Sequence, residues 1–85
     1  MDEKEAARIL TPAACRAARA LLGWTIDDLV KAARTSPNSV SRFERGDGPI
    51  RPTTAVQIVQ AFAASGVEIL NGDGTGVRML RPDPR

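Results

Sequence analysis

The side chains with the clearest chemistry lie on one short segment, residues 34–46. An amide such as that of Asn38 can bond the edge of an adenine, and a guanidinium such as that of Arg42 can bond the edge of a guanine. If the segment is helical, both lie on its exposed face, while Val40 and Phe43 point inward. This arrangement suits contact with DNA bases. The alternative is a capped surface helix whose charges are only solvated.

The same segment carries signals that begin and end a helix. Ser36 can cap the first turn, and Gly46 permits the left-handed backbone conformation that ends a helix. A second short helix precedes it, with Thr25 as its cap and Asp28 three residues later in a capping-box arrangement. Two short helices in immediate succession make a helix-turn-helix unit.

The rest of the chain predicts a mainly α-helical bundle of four to five short helices. Apolar residues recur at helical spacing over residues 12–22 and again over residues 53–64, so both segments are predicted helices. Residues 11–65 form the predicted helix-turn-helix domain, and residues 1–10 a charged N-terminal extension that is mobile or partly helical. The predicted inward positions are Cys15, Ala18, Leu22, Leu29, Val30, Ala33, Ala55, Ile58, Val59 and Phe62.

Residues 66–80 predict a C-terminal β-hairpin, followed by a tail of residues 81–85. Two short β-prone segments flank residues 71–76, whose glycine-rich composition is typical of a turn. If Glu68 opposes Arg78, the apolar residues of the two strands match across the hairpin.

The hairpin is also the predicted dimerisation element. A two-stranded ribbon is marginal alone, and its apolar face needs a cover. A second copy of the chain would provide that cover and a two-fold axis. The alternative is packing on the chain's own Ile58 and Phe62. The predicted interface residues are Val67, Ile69, Val77 and Met79.

Composition excludes several kinds of site. The chain has 85 residues, enough for one domain, and a net charge of +2 that is too mild to establish nucleic-acid binding by itself. With one cysteine and no histidine, it can form no internal disulfide and no ordinary zinc cluster, and we expect no metal and no cofactor. We interpret Cys15 as a small buried residue, because no histidine can act as its base.

Enzymatic activity and a membrane span are likewise not expected. The acidic pair Asp27 and Asp28 lies in the first turn of a predicted helix, where negative charge stabilises the helix dipole, and no nucleophile accompanies it. No apolar run approaches the ~20 residues that span a bilayer. These observations favour a cytoplasmic protein.

The helix-turn-helix segment resembles the lambda-repressor-like family (Cro/C1, also called XRE) of bacterial and phage regulators. The resemblance covers roughly residues 12–65. It rests on Arg16 to Arg19, on Leu22-Gly23-Trp24-Thr25, on Asp28-Leu29-Val30, on Thr35-Ser36 and on Val40-Ser41-Arg42-Phe43-Glu44-Arg45-Gly46.

The resemblance implies a sequence-specific DNA-binding transcriptional regulator, most simply a dimeric repressor that reads a two-fold operator through the major groove. It would act in the cytoplasm of a bacterium or its phage, associated with the nucleoid through DNA. The expected base contacts are Pro37, Asn38, Ser41 and Arg42. The expected phosphate contacts are Arg16, Thr25, Arg34, Ser36, Ser39, Arg45 and Arg51.

Three further positions are interpreted through the resemblance. The family commonly pairs an arginine of its first helix with a glutamate at the end of the recognition helix, and Arg19 and Glu44 occupy those positions. Many relatives have a glutamine whose side chain and backbone approach phosphate where this chain has Ile26, so the resemblance does not carry the side-chain hydrogen bond over to this position. Relatives often have glycine in the turn, where this chain has Arg34.

A second hypothesis is an antitoxin-type protein-interaction module that also binds its own promoter. Small proteins of the resembled family include such antitoxins, so a protein partner is an open alternative. A neighbouring gene for a small toxin-like protein would favour it.

Overall fold

A computed structural model describes residues 1–70 and 76–80 of the chain. The described residues form five short helices followed by a two-stranded antiparallel sheet, so the predicted fold class is confirmed. In chain order the elements are α1 (Glu3–Ile9), α2 (Pro12–Leu22), α3 (Ile26–Ala33), α4 (Pro37–Glu44), α5 (Pro52–Ala64), β1 (Val67–Ile69) and β2 (Val77–Met79).

The three helices of the central region begin at side-chain caps. The hydroxyl oxygen of Thr11 accepts from the backbone N–H of Ala14 at 3.0 Å at the start of α2. Thr25 and Asp28 form a reciprocal capping box at the start of α3. The hydrogen bonds from Thr25 lower the pKa of Asp28, since they stabilise its carboxylate. Ser36 caps α4. Each cap satisfies a backbone donor that would otherwise have no partner within the helix.

Helices α2, α3 and α4 end in the same way, with a residue of positive φ. These residues are Gly23 (φ 67°), Arg34 (φ 57°) and Gly46 (φ 78°). After α3, the N–H of Thr35 returns to the carbonyl of Val30 at 3.2 Å, which is the long bond of a Schellman motif. Arg34 is the only non-glycine residue with positive φ in the described part of the chain. The turn therefore keeps the glycine-like conformation that a side chain disfavours.

The N-terminal segment is part of the core. Residues 1–10 were expected to be an extension, mobile or partly helical, but α1 packs against α5. Ala6 and Ile9 of α1, and Leu10 directly after it, are buried and at most 7% exposed. These three apolar residues occur at helical spacing among charged ones, so they form a single buried stripe.

The core lies between the helices and is completed by β1. All ten predicted inward positions contribute, with Leu22 and Val30 only partly buried. The aromatic rings of Trp24 and Phe62 stack with their centroids 5.8 Å apart. Trp24 thereby fastens the loop before α3 to α5, which is a structural role.

The hairpin has the expected register, with Glu68 opposite Arg78, but its apolar face is already covered. Val67 and Ile69 are buried against the chain's own helices, since β1 packs on α2 and α5. For these two residues the structure has the alternative arrangement, in which the chain's own helices cover them. Val77 is half-buried, and Met79 is 45% exposed. The predicted turn and tail, residues 71–75 and 81–85, lie outside the described residues.

Within the described ranges, none of the helices has the length and hydropathy that a membrane crossing requires. Those ranges also contain no cluster of three or more acidic, cysteine or histidine side chains placed to hold a metal ion.

Candidate nucleic-acid interface

Helix α4 divides into an anchored side and an exposed side. Val40 is fully buried and Phe43 is 7% exposed, so both fasten the helix to the core. Pro37, Asn38 and Arg42 are exposed on the other side. Of the four residues predicted to contact bases, only Ser41 is partly covered. The structure therefore brings the four together on one surface of α4, at the helical spacing that the sequence predicted.

The end of α4 is held by a buried ion pair with α2. The guanidinium of Arg19 donates to both carboxylate oxygens of Glu44, from Nε at 2.8 Å and from Nη2 at 2.6 Å. Glu44 is only 4% exposed. Hydrogen bonding to this carboxylate raises the pKa of Arg19. The remaining Nη1 of Arg19 donates to the carbonyl of Trp24 at 3.0 Å. One guanidinium thus connects α2, the loop before α3 and the end of α4.

Cys15 is a further member of this cluster. Its Sγ donates to Oε2 of Glu44 at 3.0 Å, and the residue is fully buried. Burial, followed by the hydrogen bond to Glu44, raises the pKa of the thiol well above its usual range. Cys15 is therefore a protonated donor that completes the shell of a buried carboxylate. The sequence indicated its burial but not its partner, which is 29 positions away.

Arg16 lies where it reaches the backbone of α4. Its Nη1 donates to the carbonyl oxygen of Glu44, one of the orphan carbonyls at the end of the helix. A cation at this position also favours the helix dipole. Arg16 was predicted to contact phosphate, and the structure gives one of its donors an intramolecular partner instead. The other N–H groups of the Arg16 guanidinium take no part in this hydrogen bond.

Arg45 is also engaged within the chain. Its Nε donates to Oδ2 of Asp47 at 2.9 Å, and its Nη1 donates to the hydroxyl oxygen of Ser41 at 2.9 Å. Both charged side chains are exposed, at 60% for Arg45 and 56% for Asp47. Sequence reasoning assigned Arg45 to phosphate and Ser41 to a base without indicating that they touch. Their spacing of four on a helix was the available signal.

The loop after α4 brings two more cations to the same surface. The guanidinium of Arg42 lies over Gly48, so that an added Cβ there would be 3.2 Å from Nη2. Arg51 caps α5 through its backbone and has an exposed side chain. A small cavity lies between this loop and α4. It is lined by Ser39, Arg42, Pro49, Ile50, Arg51 and Thr54.

The remaining predicted phosphate contacts are at the helix starts and in the turn. Thr25, Arg34, Ser36 and Ser39 are all exposed. The hydroxyl oxygen of Ser36 accepts the backbone N–H of Ser39 at 3.3 Å, which leaves its own O–H free to donate.

Carboxylates are scarce on the part of this surface that residues 29–67 form. Between residues 29 and 67 the sequence contains only two acidic residues, Glu44 and Asp47. The first is buried against Arg19, and the second is paired with Arg45. Arg34, Arg42 and Arg51 are exposed in the same stretch. The arrangement can attract an anionic backbone and present hydrogen-bonding groups to what lies within it.

Two comparisons with known proteins bear on this geometry. The comparison with curated proteins finds no match. A family model described as a helix-turn-helix domain matches residues 13–71, more than half of the chain. That range contains the capped pair α3 and α4, the anchoring pair Arg19 and Glu44, and the exposed side of α4. The chain therefore belongs to the helix-turn-helix domain family.

Proposed function

We propose that this chain is a sequence-specific DNA-binding transcriptional regulator of the lambda-repressor-like (XRE, Cro/C1) type. The observation that carries the proposal is the exposed polar side of α4, which the core and the Arg19–Glu44 pair hold in place. A helix with its inner residues buried and its outer ones polar is what major-groove reading requires. Membership of the helix-turn-helix domain family supports the same function.

Base reading falls to Pro37, Asn38, Ser41 and Arg42. Asn38 suits the paired donor and acceptor of an adenine edge, and Arg42 suits the two acceptors of a guanine edge. Pro37 stands at the start of the helix and offers apolar contact, for which the methyl group of thymine is the natural partner. The hydroxyl of Ser41 can bond several bases.

Phosphate binding falls to the exposed cations and hydroxyls around α4. Arg34 and Arg51 stand on either side of α4 in sequence and provide charge, while Thr25, Ser36 and Ser39 provide hydroxyl donors at helix starts. The backbone N–H groups of Thr25 and Ser39 are already bonded within the helix caps. Arg16 and Arg45 can reach phosphate only with donors that their intramolecular bonds leave free.

We further propose that the regulator is a dimeric repressor acting by occupancy of a two-fold operator. Two copies would place their α4 helices about one DNA turn apart, ~34 Å, in successive major grooves. Since Val67 and Ile69 are covered, the contact between copies would use β2 with its exposed Met79 and the exposed Leu80 that follows it. Pairing of an exposed strand edge is a common route to such a contact.

The test begins with selection of duplexes from a random pool by the purified chain. Affinity is then measured on the selected duplex and on a shuffled one. Arg42→Ala should weaken binding to the selected duplex by about 1–3 kcal/mol and relax discrimination at one base pair, because it removes a base contact.

Arg51→Ala is the matched control, since it removes the same charge from a phosphate-facing position. It should weaken binding to both duplexes alike and make the salt dependence shallower by about one unit. If selection yields no preferred sequence, the proposed function is wrong. Equal losses for Arg42→Ala on the two duplexes would remove Arg42 from base reading.

A further inference from the structure

Three side chains at the end of α4 form a continuous chain of hydrogen bonds. The carboxylate of Asp47 accepts from Nε of Arg45, and Nη1 of Arg45 donates to the hydroxyl oxygen of Ser41, each at 2.9 Å. The two contacts use different nitrogens of one planar guanidinium. They therefore fix the plane of Arg45 against the surface of α4, and not merely its charge.

The backbone fixes the carboxylate end of this chain. Gly46 adopts φ 78°, and the N–H of Asp47 returns to the carbonyl of Arg42 at 2.9 Å. The N–H of Gly46 bonds the carbonyl of Phe43 at 3.0 Å. These are the two bonds of a Schellman motif, which turns the chain back over the last turn of the helix. Asp47 is thereby placed beside Arg45 by the same turn that ends α4.

The carboxylate of Asp47 lies beside the surface proposed to face DNA. Asp47 is the one exposed acidic residue between residues 29 and 67, because Glu44 is buried against Arg19. An exposed ion pair contributes little to stability, so fold stability does not account for its position. A carboxylate there also opposes the approach of phosphate. Its effect on the neighbouring side chains is the remaining physical role.

We propose that Asp47 is a specificity-determining residue, which holds Arg45 away from phosphate and, through Arg45, presents Ser41 to the bases as a hydrogen-bond donor. The inference rests on the proposed function and deepens it. Because Arg45 occupies one lone pair of the Ser41 oxygen, the hydroxyl proton lies away from the guanidinium and is available to donate to a base. Its partner in the major groove is then an acceptor, namely N7 or O6 of guanine, N7 of adenine or O4 of thymine.

The restraint of Arg45 and the orientation of Ser41 act differently on specific and on random DNA. Release of Arg45 from Asp47 adds a phosphate contact on any duplex. On the preferred duplex it also leaves Ser41 without a fixed orientation, so the gain is offset by a loss. Asp47 therefore increases the ratio of specific to random affinity by restraining a cation.

The experiment compares the whole chain with its Asp47→Asn variant on the selected and shuffled duplexes. Loss of an exposed pair shifts an equilibrium by about two- to fivefold, so the variant should bind the shuffled duplex more tightly by about that factor. The salt dependence on that duplex should steepen by about 0.9. Binding to the selected duplex should not tighten, and discrimination should fall by about two- to fivefold.

Two further variants separate positioning from simple repulsion. In a Ser41→Ala background, Asp47→Asn should tighten binding to both duplexes equally, because no oriented hydroxyl remains to be lost. Arg45→Lys keeps the charge but lacks the planar fork, and it should lower discrimination as Asp47→Asn does. Glu3→Gln removes one negative charge from α1, which packs on α5, and should leave the ratio unchanged.

The outcomes distinguish the inference from the function on which it rests. A wild-type chain with no preferred duplex overturns both. If the wild type prefers the selected duplex and Asp47→Asn has the same ratio of specific to random affinity, only the role of Asp47 is overturned. The same holds if Arg45→Lys discriminates like the wild type.

Discussion

Replacement of Arg34 by glycine should stabilise the fold without changing its shape. Arg34 ends α3 with φ 57°, where the two neighbouring helices have glycine at the equivalent positions. The backbone bonds of this turn, from the N–H groups of Arg34 and Thr35 to the carbonyl of Val30, need no side chain. Glycine can therefore keep every one of them.

The magnitude follows from two opposing effects on the backbone. A side chain in the left-handed region costs about 1–2 kcal/mol, and glycine removes that cost. Glycine also loses about 0.5–1 kcal/mol more conformational entropy on folding. The net gain in the free energy of unfolding is about 0.5–1 kcal/mol, which for a domain of this size raises Tm by about 2–8 °C.

Thermal and urea denaturation of the wild type, Arg34→Gly and Arg34→Ala would test this reasoning. Alanine removes the same charge but keeps the Cβ, so Arg34→Ala should show no comparable gain. Both variants lose the same proposed phosphate contact, and their affinity for DNA should fall equally. If Arg34→Ala is as stable as Arg34→Gly, charge and not backbone strain governs the stability at this position.

Two predictions concern the buried cluster. Arg19→Met alone should destabilise the fold by roughly 3–5 kcal/mol, since it leaves the buried carboxylate of Glu44 without its cation. Glu44→Gln should cost less, because the remaining Arg19 is part-exposed and keeps its bond to Trp24, and the double variant should cost less than the sum in urea denaturation. Additive losses would mean that the contact carries no coupling energy. Cys15 should react with a thiol reagent only as fast as the native fold opens, because the thiol is buried and its pKa is raised. Fast labelling under native conditions would contradict this.

Local signals in the sequence predicted most of the framework. Ser36 marks the start of α4 and Gly46 marks its end. A capping hydroxyl and a residue of positive φ act on the few residues next to them, so the local sequence is enough to predict both ends. The pairing of Glu68 with Arg78 followed from matching apolar residues on two short strands. These features depend on neighbours in the chain or on one strand pair, so the sequence contains them.

What the sequence did not predict depends on contacts between distant residues. The three buried apolar residues of the N-terminal segment could not by themselves indicate that α1 would pack on α5. The hairpin has an apolar face in either outcome, and periodicity does not say whether the chain's own helices or another molecule covers it. The engagement of Arg16 and Arg45 depends on side-chain conformation, to which spacing is only a guide.

The separation of anchoring and exposed positions on α4 has a consequence for how such proteins can change. Val40, Phe43 and Glu44 face the core, whereas Pro37, Asn38 and Arg42 make no contribution to it. Substitutions at the exposed positions should therefore alter the proposed DNA sequence preference at little cost in folding, since surface changes of this kind usually shift stability by about 0.5 kcal/mol or less. A library of variants confined to those positions would yield folded proteins that bind new DNA sequences. Divergence after gene duplication can change the same positions.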